Sequence, residues 1–179
     1  MSEVKTDKLS PRTASGTVTL GTSGDTFTIP SGVTLTNSGT ASGFRKVLQV
    51  VQNTYNTQAS TTSASWTSTG LTASITPSST SNKILIMASI AAAFTGPAGV
   101  QGAFDIFRGA TGPLSGNQFS QVYGGTSTIE GNEYIQYLDS PSSTSSITYD
   151  IRFVEYGSGT LSVQLNGSTS VIILMEIAG

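Results

Sequence analysis

The last ten residues, Ser170-Val171-Ile172-Ile173-Leu174-Met175-Glu176-Ile177-Ala178-Gly179, form the most apolar stretch of the chain. β-Branched residues dominate it and no proline interrupts it, which predicts a strand held inside a sheet. On a period of two, Val171, Ile173, Met175 and Ile177 face one way, and Ile172, Leu174 and Glu176 the other. Both faces want cover, whereas an antiparallel sandwich covers one. The run Ile84 to Phe94 is apolar on both faces in the same way. Elsewhere the alternation is cleaner: Leu161, Val163 and Leu165 against Ser162, Gln164 and Asn166, and Ile147, Tyr149, Ile151 and Phe153 against Thr148, Asp150 and Arg152. Those strands have one wet face. Strands are expected at 47–52, 71–76, 83–94, 103–108, 118–123, 133–138, 147–156, 160–166 and 170–178, with no helix-length periodic segment. The fold class is therefore all-β, with residues 44–179 forming a jelly-roll-like sandwich of two antiparallel sheets.

Two doubly apolar strands in one sandwich point to a closed homo-oligomer. The face bearing Ile172, Leu174 and Glu176 is assigned to the subunit interface. A charge there needs a basic or hydrogen-bonding partner, with Arg45, Lys46 or Lys83 as candidates.

Ahead of the sandwich, Thr17-Val18-Thr19-Leu20, Thr26-Phe27-Thr28-Ile29 and Val33-Thr34-Leu35-Thr36 alternate Thr with large apolar residues between Gly21, Gly24, Pro30 and Gly32. Strands of four residues that bury two side chains each are not stable alone. The reading is a Thr/Gly-rich β stem over 13–43, intertwined between copies and ending in the linker Asn37 to Gly43. The alternative is a linker that orders only on contact. Residues 1–12 are too polar to fold by themselves, with Val4 and Leu9 as their only large apolar side chains, and they lack the apolar centre of a signal peptide.

Composition narrows the chemistry. Ser and Thr fill 55 positions, which favours strands and turns over helices. A net charge of −2 argues against a nucleic-acid partner or an anionic membrane surface, and the longest apolar run is too short to span a bilayer. With no His and no Cys there is no Ser-His-Asp triad, no thiol nucleophile and no ordinary zinc site. No cofactor, metal or catalytic residue is assigned. A carboxylate pair would suffice for glycoside cleavage, but Glu130 and Glu133 read as a solvated turn around Gly131-Asn132, which also lacks the ligand spacing of a calcium loop. Asp139 reads as a turn carboxylate. The Gly/Pro stretches 96–102 and 109–114 are loops at opposite ends of the strand between them, one of them lying beside the 123–132 turn. An aromatic ring near carboxylates and amides suits sugars, so Tyr123, Glu130, Asn132 and Glu133 are the receptor-binding candidates. Trp66, Tyr134, Tyr137 and Tyr149 read as core.

The opening Val4-Lys5-Thr6-Asp7-Lys8-Leu9 followed by Thr/Gly repeats resembles the start of phage tail-fibre-like proteins of marine and cyanobacterial phages. So do Lys46-Val47-Leu48-Gln49-Val50-Val51-Gln52, the 75–85 segment, Leu138-Asp139-Ser140-Pro141 and the terminal Met175-Glu176-Ile177-Ala178-Gly179. The resemblance implies a virion location (tail, baseplate or capsid surface), an N-terminal anchor carried by Val4, Lys5, Lys8 and Leu9, and a homotrimeric C-terminal β-domain. It further implies contact with other virion proteins and attachment to a host surface glycan. A capsid decoration, head-fibre or baseplate connector protein without a ligand is the rival reading, and a glycan hydrolase a distant third.

Overall fold

The computed structural model describes residues 9, 11, 16–34, 36, 47–125 and 127–179. The chain divides into two units, Met1–Gly43 and Phe44–Gly179. Ten strands make up the second: β1 Val47–Tyr55, β2 Ala59–Thr61, β3 Thr67–Ile75, β4 Lys83–Thr95, β5 Gln101–Arg108, β6 Ser120–Tyr123, β7 Ile129–Asp139, β8 Ile147–Tyr156, β9 Thr160–Val163 and β10 Ser170–Ile177. The fold is all-β as expected, and a single 3-10 turn, Leu165–Gly167, is the helical element among the described residues.

One sheet runs β1-β10-β4-β9-β2 with β7 also paired to β4, and the other runs β3-β8-β5-β6. Setting aside the short β2 and β9, the eight remaining strands appear as first-eighth-third-sixth and second-seventh-fourth-fifth, the antiparallel arrangement of a jelly roll. The thirteen residues of β4 are the spine of the larger sheet. Along one edge β10 pairs with Lys83 to Ser89 and β9 with Ala92 to Thr95, while β7 pairs with Ile84 to Phe94 on the other.

The core lies between the sheets. Ile84, Ile86, Ile90 and Phe94 of β4 and Ile172 and Leu174 of β10 meet Phe104 and Ile106 of β5 and Tyr149, Ile151 and Phe153 of β8, all fully buried. Phe104 and Phe153 are register partners with rings 6.4 Å apart. Each such side chain contributes about 1.5–3 kcal/mol by leaving water.

This placement corrects the assignment of Ile172, Leu174 and Glu176 to a subunit interface: within one chain that face is the inside of the sandwich. Periodicity identified two apolar faces and had no means of choosing between them. The other face of β10 carries Val171, Ile173, Met175 and Ile177, which are half-buried.

Other boundaries move for local reasons. β2 escaped notice because three residues are too few to alternate, and β9 stops at Val163 because Gln164 and Asn166 take left-handed conformations, at φ 50° and 55°. β7 starts at Ile129, so Glu130 and Glu133 stand in a strand rather than a turn. In the first unit the Thr/apolar runs form no strand among the described residues, and Val18, Leu20, Phe27, Ile29 and Val33 are exposed. Val4, Lys5 and Lys8 lie outside the described residues, and Leu9 is exposed.

Candidate functional site

The outward surface of the larger sheet is built in rows fixed by strand register. Across β1, β10, β4 and β7 these are Val50–Met175–Leu85–Leu138, then Gln52–Ile173–Met87–Gln136, then Thr54–Val171–Ser89–Tyr134. Val50 is 57% exposed, Leu138 47% and Tyr134 71%. A depression of about 450 Å³ opens beside Tyr134, between Met87, Val171 and Ile173. Beyond these rows the same face turns polar, with Asn132 opposite Ala91 and Glu130 opposite Ala93. Lys83, partnered with Ile177, sits at the opposite end of β4, so charge is confined to the two ends of this face.

The polar end is roofed by a chain excursion. From Val163 to Val171 the backbone takes eight steps while β4, between Ala92 and Ser89, takes three. The surplus loops outward and borders an open recess of about 300 Å³, lined by Ala91, Ala93, Glu130, Asn132, Asn166 and Ser168 with Leu165 as a wall. Both ends of the excursion are pinned to Ala91: Gln164 N donates to its carbonyl at 3.0 Å, and its own N–H donates to Ser170 Oγ at 3.0 Å.

The four receptor-binding candidates do not converge. Glu130 and Asn132 share the recess. Glu133, an odd number of residues from both along an extended strand, faces the other way and accepts a hydrogen bond from Ser120 Oγ. Tyr123 belongs to the smaller sheet, where its hydroxyl donates to Gln121 Oε1 at 2.7 Å. Glu130 and Glu133 on opposite faces cannot act together on one glycosidic bond. The expected neighbour of Tyr123 is present, since Gly124 N donates to Val100 O of the first Gly/Pro loop. Leu165, Asn166 and Ser168 were missed as site residues, although the Asn166-Gly167 turn signal within the strand expected at 160–166 marked the interruption.

Buried polar groups elsewhere are satisfied inside the chain. Glu176 is 1% exposed. Burial pushes its carboxyl upward, but hydrogen bonds from Gln49 Nε2, Asn82 Nδ2 and both the N–H and hydroxyl of Ser78 outweigh this and hold it at about 2. Lys83, one of its expected partners, is registered with Ile177 instead, and Arg45 and Lys46 lie outside the described residues. Asp139, expected in a turn, ends β7 and accepts Arg108 Nη1 at 2.9 Å and the Tyr149 hydroxyl at 2.7 Å. Burial raises Tyr149, and the Asp139 carboxylate raises it further. Burial also raises Asp105, against hydrogen bonds from Ser115 and Ile106 N. Tyr134, expected in the core, is on the surface, and half-buried Trp66 packs on Phe107, whose ring also carries the Arg152 guanidinium at 4.4 Å. Among the described residues no group of three His, Cys, Asp or Glu is placed to hold a metal ion.

No family model and no curated protein sequence matches the chain. Among solved structures it is similar to the infectious bursal disease virus VP2 subviral particle, at 14% identity and a TM-score of 0.38, over 72% of this chain and 39% of that one. At that level the likeness carries no conclusion about function.

Proposed function

We propose that the chain is a structural appendage of a virus particle, fibre-like, which works as a homotrimer and attaches to a host surface glycan. The observation that carries the oligomer is the outward face of the β1-β10-β4-β7 layer, where aliphatic side chains of four strands stand in uncharged rows. Four strands and seven residues span a footprint of roughly 20 by 23 Å. A stable interface takes about 800 Å² from each partner. The face alone falls short of that, and the exposed Val18, Leu20, Phe27, Ile29 and Val33 supply further apolar surface for the same copies. The virion setting, the number three and the anchoring role of Val4, Lys5, Lys8 and Leu9 come from the sequence resemblance. The subunit contact in this reading uses Val171, Ile173 and Met175 rather than Ile172 and Leu174.

Light scattering on the purified full chain tests the assembly. The expected mass is three times 18.4 kDa at micromolar concentration, and a persistent monomer would overturn the reading. Mass spectrometry of purified particles tests the setting: the chain is expected among the virion proteins, and its absence would refute a virion role.

A further inference from the structure

The recess under the 164–169 excursion has the features of a ligand site rather than of a surface irregularity. Its volume lies at the small end of ligand pockets, roughly 300–1,000 Å³. The floor is Ala91 and Ala93, whose small side chains leave room above the sheet. The roof is preorganised by Gln164 and Asn166, both left-handed, a conformation that costs non-glycine residues energy and is retained where the surroundings demand it. Gln164, which opens the excursion and lies outside the lining of the recess, is fully buried, its Nε2 donating to Ser170 Oγ at 3.0 Å while its Oε1 has no hydrogen-bond partner among the described residues.

The lining decides the ligand class. Glu130 offers a carboxylate, Asn132 and Asn166 offer amides that both donate and accept, and Ser168 offers a hydroxyl. No cationic side chain lines the recess, which disfavours an anion. A lone carboxylate is too few acidic ligands for a tight divalent-cation cage. Vicinal hydroxyls match a carboxylate and amides, and the alanine floor with Leu165 suits the apolar C–H surface of a ring. We propose that this recess binds a single neutral sugar ring, held by Glu130, Asn132, Asn166 and Ser168 over the Ala91 and Ala93 floor. The proposal deepens the attachment reading and rests on it for the source of the sugar, a cell-surface glycan. It lies past the last apolar row of the sheet, so it borders the face proposed for subunit contact without belonging to it.

Saturation-transfer NMR on the full chain, using methyl glycosides of glucose, galactose, mannose and N-acetylglucosamine, is the test. At least one glycoside is expected to bind. Glu130→Gln, which keeps an acceptor but removes the charge that strengthens its hydrogen bond, and Asn166→Gly, which removes the amide, should each weaken it about tenfold. Glycine keeps the left-handed backbone free of strain while removing the amide. Gln136→Ala, on the same face but outside the recess, and Tyr123→Ala should bind as the parent does. Absence of binding by all four glycosides, or binding that Glu130→Gln and Asn166→Gly leave intact, overturns the proposal. Attachment is read separately, by competition of the purified chain with particles for host cells. Competition that survives Glu130→Gln sinks the recess and spares attachment, whereas glycoside binding without competition sinks attachment and spares the recess.

Discussion

Glu176 accepts four hydrogen bonds from three side chains and one backbone amide that are 94 to 127 residues away in sequence. Its carboxyl is held at about 2, from an ordinary 4.5, so the folded state binds that proton less readily than the unfolded chain. A depressed pKa contributes stability above the unfolded value, and that contribution disappears as pH falls from about 4.5 toward 2. Asp105, raised by burial, works with the opposite sign and offsets part of the loss. The melting temperature is therefore expected to fall across that window, and less steeply in Glu176→Gln than in the parent; equal slopes would show that the carboxylate is not the group responsible. At neutral pH Glu176→Ala, which leaves the Ser78 N–H without its acceptor and the Gln49 and Asn82 amides with one acceptor each, Thr76 O and Ser78 Oγ, should cost about 2–4 kcal/mol, and Glu176→Gln, which keeps an acceptor, less. Sequence alone identified Glu176 as a charge in an apolar strand that needed a partner. It did not identify the partners, because an uncharged amide on the neighbouring strand β1 and the Ser78 and Asn82 groups in the β3–β4 loop carry no local signal.

At the scale of the element, β10 separates two roles on alternate residues. Leu174 fills the core and Ile173 stands on the outward rows. Leu174→Ala should lower stability by about 2–5 kcal/mol through lost burial and a cavity. Ile173→Asp should leave the chain folded, with an unchanged far-ultraviolet spectrum, and shift the light-scattering mass downward. A folded trimer of Ile173→Asp would place the interface elsewhere. The strands were legible because alternation is a local property, and β4, β8 and β10 were located to within a residue or two. β9 was overextended because Gln164 and Asn166 continue the alternating pattern while their backbone leaves it. Glu130 and Asn132 were read as a turn because Gly131-Asn132 is a turn-like pair, and the long register with β4 overrides that preference.

At the scale of the molecule, the first and last strands of the jelly roll are neighbours, β1 beside β10, so the second unit closes on itself without the first. A chain lacking residues 2–12 is expected to fold, to show the same oligomeric state by light scattering as the full chain, and to be missing from particles. Normal incorporation of that deletion would refute an anchor carried by Val4, Lys5, Lys8 and Leu9.

Sequence by itself determined that the chain from Val47 onward is built of β-strands, that these strands make a two-sheet sandwich, and that two of them are apolar on both faces. Those are consequences of side-chain period and turn chemistry, which act over a few residues. Which apolar face became core was settled by the tertiary structure, since the choice depends on what the opposite sheet presents: Ile172 and Leu174 turn inward into the core shared with that sheet, and Ile173 and Met175 are left outside. The recess was likewise invisible in the chain order. Glu130 and Asn132 meet Asn166 and Ser168 only because β7 and the 164–169 excursion flank the same stretch of β4, and strand order is fixed by the packing of the whole sandwich rather than by any segment of it.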